Sequence, residues 1–287
     1  MDYPFLERLA VSFVVGGASV ALFTTAAERF GSRYGGLLLS FPVKLAVSLA
    51  LLALQEGVVE AAVSASVVPL GIASNVVFLA VTVVALRRIP RVQAIALGMS
   101  AWLSTAVLCL LVVPEAAAPA FLVYSGITAA ALAGLTAIPA LRGIHHRKGA
   151  RVFSGWRLVR RGLAAGALVA STLIVARLAG PVVAGLFAVF PSAWLTTMIV
   201  LSRDQGPDFT GATARTMIAG SASPVAYGLA MAMLLSPLGV LAATLASLVV
   251  AVGVSGAAAA ALHALDRRLL PPPVTPAPQA AAPSLTR

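Results

Sequence analysis

Long apolar stretches, separated by short groups of charged and turn residues, occupy most of the chain. Nine of them are found, at about 9–27, 35–54, 61–86, 92–113, 119–141, 161–178, 181–202, 212–235 and 238–262. Their usual length of about 20 residues is what an α-helix needs to cross the hydrocarbon core of a bilayer. The pattern therefore predicts an all-α, polytopic membrane protein with about nine transmembrane helices.

Composition favours a membrane protein and argues against an enzyme. Of the 287 residues, 60% are hydrophobic and 10% are charged, whereas a soluble domain carries about 25% charged residues. The sequence has three histidines and one cysteine, and it lacks a metal-binding cluster, a phosphate-binding loop and a nucleophile with a histidine partner. We therefore expect no enzymatic activity, no metal and no cofactor.

The distribution of basic residues predicts the orientation in the membrane. The net charge is +11, but basic residues of membrane proteins collect in cytoplasmic loops, so we do not expect a nucleic-acid partner. With nine crossings, Arg8 and Arg177 fall on the N-terminal side, Lys44 falls inside a helix, and the other 17 of 20 basic residues fall on the opposite side. We expect a multi-pass protein of the cell membrane with its N-terminus outside and its C-terminus cytoplasmic.

The sequence contains an internal repeat with an offset of 149 residues. Without a gap, positions 17–76 align with 166–225 and give 17 identities in 60 positions. The identities include five pairs of glycines, and Phe41-Pro42 aligns with Phe190-Pro191. Glycine and proline have specific backbone roles, so these matches favour a duplication over chance similarity between apolar segments.

The duplication predicts four segments. They are a first four-helix unit at 1–116, a linker helix and basic cytoplasmic loop at 117–157, a second four-helix unit at 158–265, and a disordered cytoplasmic tail at 266–287. The single crossing of the linker helix inverts the second unit relative to the first. The basic residues agree with this inversion, since Arg87 and Arg203 have the uncharged counterparts Ser236 and Leu54.

Each unit carries a proline inside an apolar helix. Pro42 and Pro191 lack an N–H group and clash with the carbonyl four residues earlier, so we expect free carbonyl groups at Leu38 and Phe187. Interrupted helices at matching positions of two repeats indicate the binding site of a transporter, and the alternative is an ordinary proline kink. The candidate substrate-binding residues are Phe41, Pro42, Lys44, Asn75, Phe190, Pro191, Ser192 and Ser223.

Lys44 is the basic residue that lies well inside a predicted helix. A lysine at the centre of a transmembrane helix costs about 2.5–3.5 kcal/mol on insertion scales, which favours a functional use. We hypothesise that Lys44 lends positive charge to the central site and that the solute is anionic. Its counterpart, Ala193, is neutral, so such a site is asymmetric. The alternative is a lysine that extends its ammonium group to the membrane surface.

Acidic residues stand near the beginning of the third helix of each unit. They are Glu56, Glu60, Asp204 and Asp208. We consider them candidates for coupling solute movement to protons or cations. The alternative is that they stabilise helix N-termini through the helix dipole.

Two motifs resemble a known family. "YGGLLLSFPVKL" is followed by "LQEGVVEAAVSA", and the second half repeats the pattern as "VAGLFAVFPSAW" and "RDQGPDFTGATA". The pattern resembles the GlpM-like family of small integral membrane proteins over roughly 31–66 and 180–215. Since members of that family are single units, the chain resembles a fused tandem of two inverted units. The resemblance implies an association with exopolysaccharide production and no particular substrate.

Two functions of different classes are compatible with these features. The first is a small-solute transporter or channel, whose partners are the lipid bilayer and a small-molecule or ion solute. The second is a non-transporting accessory membrane protein in envelope or exopolysaccharide assembly. A transporter requires a polar, water-accessible path between the units, whereas an accessory protein requires a dry centre and an exposed binding face. Either is compatible with a homo-oligomer.

The charge distribution leads to a testable topology. A reporter active only in the cytoplasm should be active when fused after Arg268 and inactive when fused before Asp2, because 17 basic residues lie on the predicted cytoplasmic side. Reporter activity is measured in intact cells for both fusions. Activity at both ends would require an even number of crossings and would exclude the inverted arrangement.

Overall fold

The computed structural model describes residues 6–7, 9–15, 17–18, 42–113, 116–141, 155–204 and 206–269. Within these ranges the chain is helical and contains no strand, which confirms the predicted all-α class. Residues 9–15 are helical. The helices that follow are α1 (Val43–Gln55), α2 (Val58–Ser66), α3 (Val68–Leu86), α4 (Arg91–Val112), α5 (Ala117–Thr136), α6 (Gly155–Ala188), α7 (Ser192–Asp204), α8 (Gly206–Gly220) and α9 (Ala222–Leu269).

Several helical segments are long and apolar enough to cross a membrane. Among the described residues there are four, at Val58–Leu86, Arg91–Val112, Ala117–Thr136 and Gly206–Ala258. A fifth is obtained if Arg177–Ala188 and Ser192–Arg203, which are bent by 40°, form one crossing. Large apolar side chains such as Leu108 and Leu111 on α4 are exposed on the outer surface. Long apolar helices with an apolar exterior are typical of a membrane protein.

The longest helices are interrupted at glycines. α6 is broken at Gly180, where φ is 82°, and α9 is broken at Gly239, where φ is 72°. The break at Gly180 separates the predicted sixth and seventh apolar stretches, and the break at Gly239 separates the eighth and ninth. The predicted third stretch is likewise two helices, α2 and α3, which meet in a turn at Val67.

The offset of 149 residues found in the sequence recurs in the helix boundaries. α1 and α7 have 13 residues each, and both begin directly after a proline. Their ends differ by the same offset, since 43 + 149 = 192 and 55 + 149 = 204. Gly57 and Gly206, at the same spacing, both have positive φ, at 117° and 82°. Only glycine adopts such angles without strain, which explains its presence at both corners.

α3 lies at the centre of the bundle. It contacts α4, α5, α6, α8 and α9, and most of its residues are buried. One face is less covered, since Val77 and Val81 are half-buried and Val84 is 43% exposed. The positions at the repeat offset, 217–235, are also buried at Met217, Tyr227 and Met231. The helices predicted to be third in each unit therefore form the core.

Glycines allow α2 and α6 to approach closely. A Cβ atom at Gly185 would collide with the backbone carbonyl of Ser64 and would lie 2.7 Å from the Val67 side chain. The Ser64 hydroxyl donates a hydrogen bond to the carbonyl of Pro181 at 2.7 Å. This contact fixes the second arm of α6, Pro181–Ala188, against the first unit.

The close approach at Gly185 predicts a large effect of a small substitution. Gly185→Ala should destabilise the protein by about 1–3 kcal/mol, because a backbone carbonyl cannot move aside as a flexible side chain can. Gly126→Ala is the matched control, since nothing lies within 4 Å of the added Cβ. Thermal unfolding of the detergent-purified variants measures the difference, and equal midpoints would contradict the described packing.

Candidate functional site

Lys44 connects the first unit to the helix break of the second. It is the second residue of α1, and its Nζ donates a hydrogen bond to the backbone carbonyl of Phe190 at 2.6 Å. Phe190 directly precedes Pro191, after which α7 begins. Four of the predicted site residues, Pro42, Lys44, Phe190 and Pro191, therefore lie in one region, although the two pairs are separated by 149 residues.

Asn75 and Trp102 bind the adjacent carbonyl. Asn75 on α3 is 3% exposed, and its Nδ2 donates to the carbonyl of Val189 at 2.8 Å. The indole Nε1 of Trp102 on α4 donates to Oδ1 of Asn75, also at 2.8 Å. The Trp102 ring packs edge-on against the Phe190 ring, with centroids 5.1 Å apart. Because an indole N–H can only donate, this bond fixes the direction of the Asn75 amide.

These five residues are called the break cluster: Lys44, Asn75, Trp102, Val189 and Phe190. Its donor side chains come from the first unit, and its acceptor carbonyls come from the second. In an apolar bundle such carbonyls must find donors within the protein, because lipid provides none. The break in the second unit thus depends on side chains of the first.

The prediction that the carbonyl of Phe187 is free is wrong. That carbonyl accepts a hydrogen bond from the backbone N–H of Phe190 at 3.0 Å. The chain leaves the helix before it reaches Pro191, since the residue before a proline disfavours the α conformation. The last turn tightens, and the carbonyls left for side chains are those of Val189 and Phe190. The backbone N–H of Ser192 also donates to Phe190, at 2.8 Å.

Two helix N-termini are joined through Lys44. α1 begins after Pro42 and α7 begins after Pro191. The first N–H groups of a helix have no partner within it, and the helix dipole places partial positive charge there. The side chain of Lys44, in the first turn of α1, reaches Phe190, two residues before α7 begins. Its ammonium group and the N-termini of α1 and α7 therefore lie in one region. That arrangement is suited to an anion.

The other predicted site residues are found in different places. Ser223 is buried, and its hydroxyl donates to the carbonyl of Ala251 at 3.0 Å rather than to the break cluster. Ser192 is half-buried at the start of α7 and joins the break cluster through its backbone. Phe41 lies outside the described residues.

The predicted coupling residues lie at helix ends. Glu56 is half-buried where α1 ends, and Glu60 is exposed in the first turn of α2. Asp208, in the first turn of α8, forms an ion pair with Arg87. Asp204 is the last residue of α7. The three acids whose side chains are described are therefore separate from the break cluster.

Sequence reasoning missed two residues. Trp102 is not among the predicted site residues, because an apolar helix gives no indication of which side faces a neighbour. Arg215 was counted with the cytoplasmic loops, yet it is 5% exposed within α8. The available signal was that position 215 falls inside the predicted stretch 212–235. A buried arginine in an apolar helix is costly and often functional.

The Trp102–Asn75–Val189 chain of hydrogen bonds predicts energetic coupling. Asn75→Leu should cost about 1–3 kcal/mol, since it leaves a buried carbonyl and an indole N–H without partners. Trp102→Phe keeps an aromatic ring but removes the donor. A double-mutant cycle on unfolding free energies should give a coupling of about 0.5–3 kcal/mol.

The control for this cycle is Ser125→Ala, whose hydroxyl donates only to the carbonyl of Phe121 in its own helix. It should be additive with Asn75→Leu. Additivity of the Asn75 and Trp102 substitutions would show that the two side chains do not act as a unit.

Comparison with known proteins gives one match. A family described as protein of unknown function (DUF3147) matches residues 9–115. That is 115 − 9 + 1 = 107 residues, under half of the chain. No curated protein and no solved structure matches the chain. The matched segment ends one residue before the predicted boundary of the first unit at 116, so the comparison concerns that unit.

Proposed function

We propose that the chain is a nine-span protein of the cell membrane, built from two inverted four-helix units, that moves a small anionic solute across the bilayer. The solute site is the region between the break cluster and the N-termini of α1 and α7. The family match over 9–115 supports the first unit as a module in its own right. The recurring helix boundaries support its duplication.

Contacts between helix ends support the proposed topology. Nine crossings place Arg87 and Asp208 on the cytoplasmic side, and these residues form an ion pair. The same topology places Ser12 and Gln55 near the outer side, and Nε2 of Gln55 donates to the Ser12 hydroxyl at 3.1 Å. Both contacts join positions that the topology assigns to one side of the membrane.

The observation that carries the proposal is the hydrogen bond from Lys44 to Phe190. It places a cationic side chain of one unit at the interrupted helix of the other. Transporter sites are commonly built where the N-termini of interrupted helices point at an anionic group. The ammonium group of Lys44 disfavours a cationic solute by repulsion and attracts an anionic one. The solute displaces the Phe190 carbonyl as the partner of Lys44.

The hydrogen bonding within the break cluster also supports the second candidate function, that of a non-transporting accessory protein. Its polar groups bond directly to one another, with donor–acceptor distances of 2.6–2.8 Å. A centre satisfied in this way is also what a non-transporting accessory protein requires. Large apolar side chains exposed on α4 provide a surface for a membrane partner. The resemblance to GlpM-like proteins favours envelope or exopolysaccharide assembly for such a role.

Anion flux through proteoliposomes distinguishes the two functions. The purified protein should pass an anion such as acetate, phosphate or chloride faster than potassium. Lys44→Met retains the side-chain stem without its charge, and it should lower anion flux by about tenfold or more, on the scale of one lost charged hydrogen bond. Lys44→Arg should preserve part of the flux.

The matched control is Arg177→Met, which removes an exposed basic residue far along α6. It should leave the flux unchanged. If the parent protein passes none of these anions, the accessory function is favoured. If Lys44→Met transports as the parent does, Lys44 is not part of the path.

A further inference from the structure

A shallow groove lies between the two units on the side that the proposed topology places outside. Its walls include Val59, Ala62 and Ser66 of α2. Ala232 and Ser236, from the arm of α9 before Gly239, line the other wall. The groove is thus formed by the beginning of the predicted third helix of the first unit and the end of the predicted third helix of the second unit, with Ala117 at the start of α5 beside them.

The repeat offset assigns every one of these positions a counterpart in the opposite unit. Adding 149 to the α2 residues gives Asp208, Gly211 and Arg215, and subtracting 149 from the α9 residues gives Val83 and Arg87. If the units are inverted copies, these five counterparts should lie together on the cytoplasmic side, as the groove residues lie together on the outer side.

The structure brings the counterparts together. Arg87 forms an ion pair with Asp208. One turn deeper, a Cβ atom built on Gly211 would lie 2.5 Å from a methyl carbon of Leu141 and 3.0 Å from a methyl carbon of Val83. Arg215 follows Gly211 by four residues and lies on the same face of α8. Arg87, Asp208, Val83 and Gly211 therefore form one region between α3 and α8, and Arg215 lies one turn further along α8, at the offset position of Ser66 in the outer groove.

The two equivalent regions differ in exposure. In the outer groove, Ala62, Ser66 and Ala232 are half-buried. Their counterparts Gly211, Arg215 and Val83 are all buried, with Arg215 at 5% and Val83 at 0% exposure. At these three positions the inner region is the more buried of the two. The groove is also lined by Val63 and Met233, whose counterparts Ala212 and Val84 are half-buried and 43% exposed. The ion pair of Arg87 with Asp208 lies at the end of the inner region.

The fold does not need a charged side chain at the position of Arg215. The same place in the first unit holds Ser66, so the fold accepts a small polar residue there. A buried arginine costs free energy in an apolar bundle. Its guanidinium group presents parallel N–H donors that match the two oxygens of a carboxylate or phosphate.

We propose that Arg215 is an oxyanion-binding residue at the base of a closed cytoplasmic vestibule, which the Arg87–Asp208 ion pair covers. This inference rests on the proposed function and assigns the solute class as a small carboxylate or phosphate. When Arg87 separates from Asp208, α3 and α8 part, and Val83 and Arg215 become accessible from the cytoplasm. The anion that Lys44 binds at the centre then also meets Arg215 along the path from the cytoplasm.

Cysteine labelling tests whether the vestibule opens. In a Cys109→Ala background, Val83→Cys and Ala232→Cys are each reacted with a water-soluble maleimide on the reconstituted protein. Ala232→Cys should react, and Val83→Cys should not. Adding Asp208→Asn or Arg87→Gln should raise the labelling rate of Val83→Cys by about tenfold, within the usual range of a coupling between sites.

Glu60→Gln is the matched control, because it removes an acid from the first turn of α2, as Asp208→Asn does from α8. It should leave Val83→Cys unreactive. If neither Asp208→Asn nor Arg87→Gln speeds the labelling, the ion pair does not cover a vestibule and the proposal is overturned.

Protection by anions tests the role of Arg215. In the Asp208→Asn protein, sodium phosphate or sodium acetate should slow the labelling of Val83→Cys more than sodium chloride at equal ionic strength. Arg215→Gln should abolish this protection and Arg215→Lys should retain part of it. Protection that persists in Arg215→Gln would overturn the site. Protection without any flux in the parent protein would instead overturn transport and leave the Arg215 site standing.

Discussion

The packing of the two units depends on two backbone carbonyls at the break between α6 and α7. Val189 and Phe190 lie between the end of α6 and Pro191, and their oxygens accept hydrogen bonds from side chains elsewhere in the protein, Phe190 in addition to the backbone N–H of Ser192. The donors come from α1 and α3, and Trp102 on α4 holds one of them in place. Three helices of the first unit must therefore pack against the break of the second.

At the offset of 149 residues the helix boundaries recur, but the side-chain chemistry does not. Lys44 has the counterpart Ala193, and Asn75 has the counterpart Pro224. Neither Ala193 nor Pro224 has a side-chain donor to offer the first unit. The position of Trp102 is taken by Ala251, whose carbonyl accepts from Ser223. Donors are concentrated in one unit and acceptors in the other, which gives the interface a local positive charge that two identical units would not have.

The parts of this arrangement that the sequence predicted are those fixed by local backbone chemistry. The prolines predicted interruptions at matching positions of two apolar helices, because a missing N–H acts within a few residues. The contacts between helices that are distant in the sequence were not predictable. The carbonyls that Lys44 and Asn75 bind depend on how the helix tightens before Pro191. The burial of Arg215 depends on which side of α8 faces the bundle, and an apolar helix has no periodicity that would reveal it.

Two of the contacts between the units, the Arg87–Asp208 ion pair and the Lys44–Phe190 hydrogen bond, differ in how easily they separate. Arg87 and Asp208 are 33% and 52% exposed, and ion pairs accessible to solvent contribute only about 0–1 kcal/mol. The bond from Lys44 to Phe190 is partly buried among apolar helices, and breaking it without a substitute leaves the buried ammonium group without its acceptor, which is more costly. In the proposed transporter, an anion would lower that cost by offering Lys44 a new acceptor.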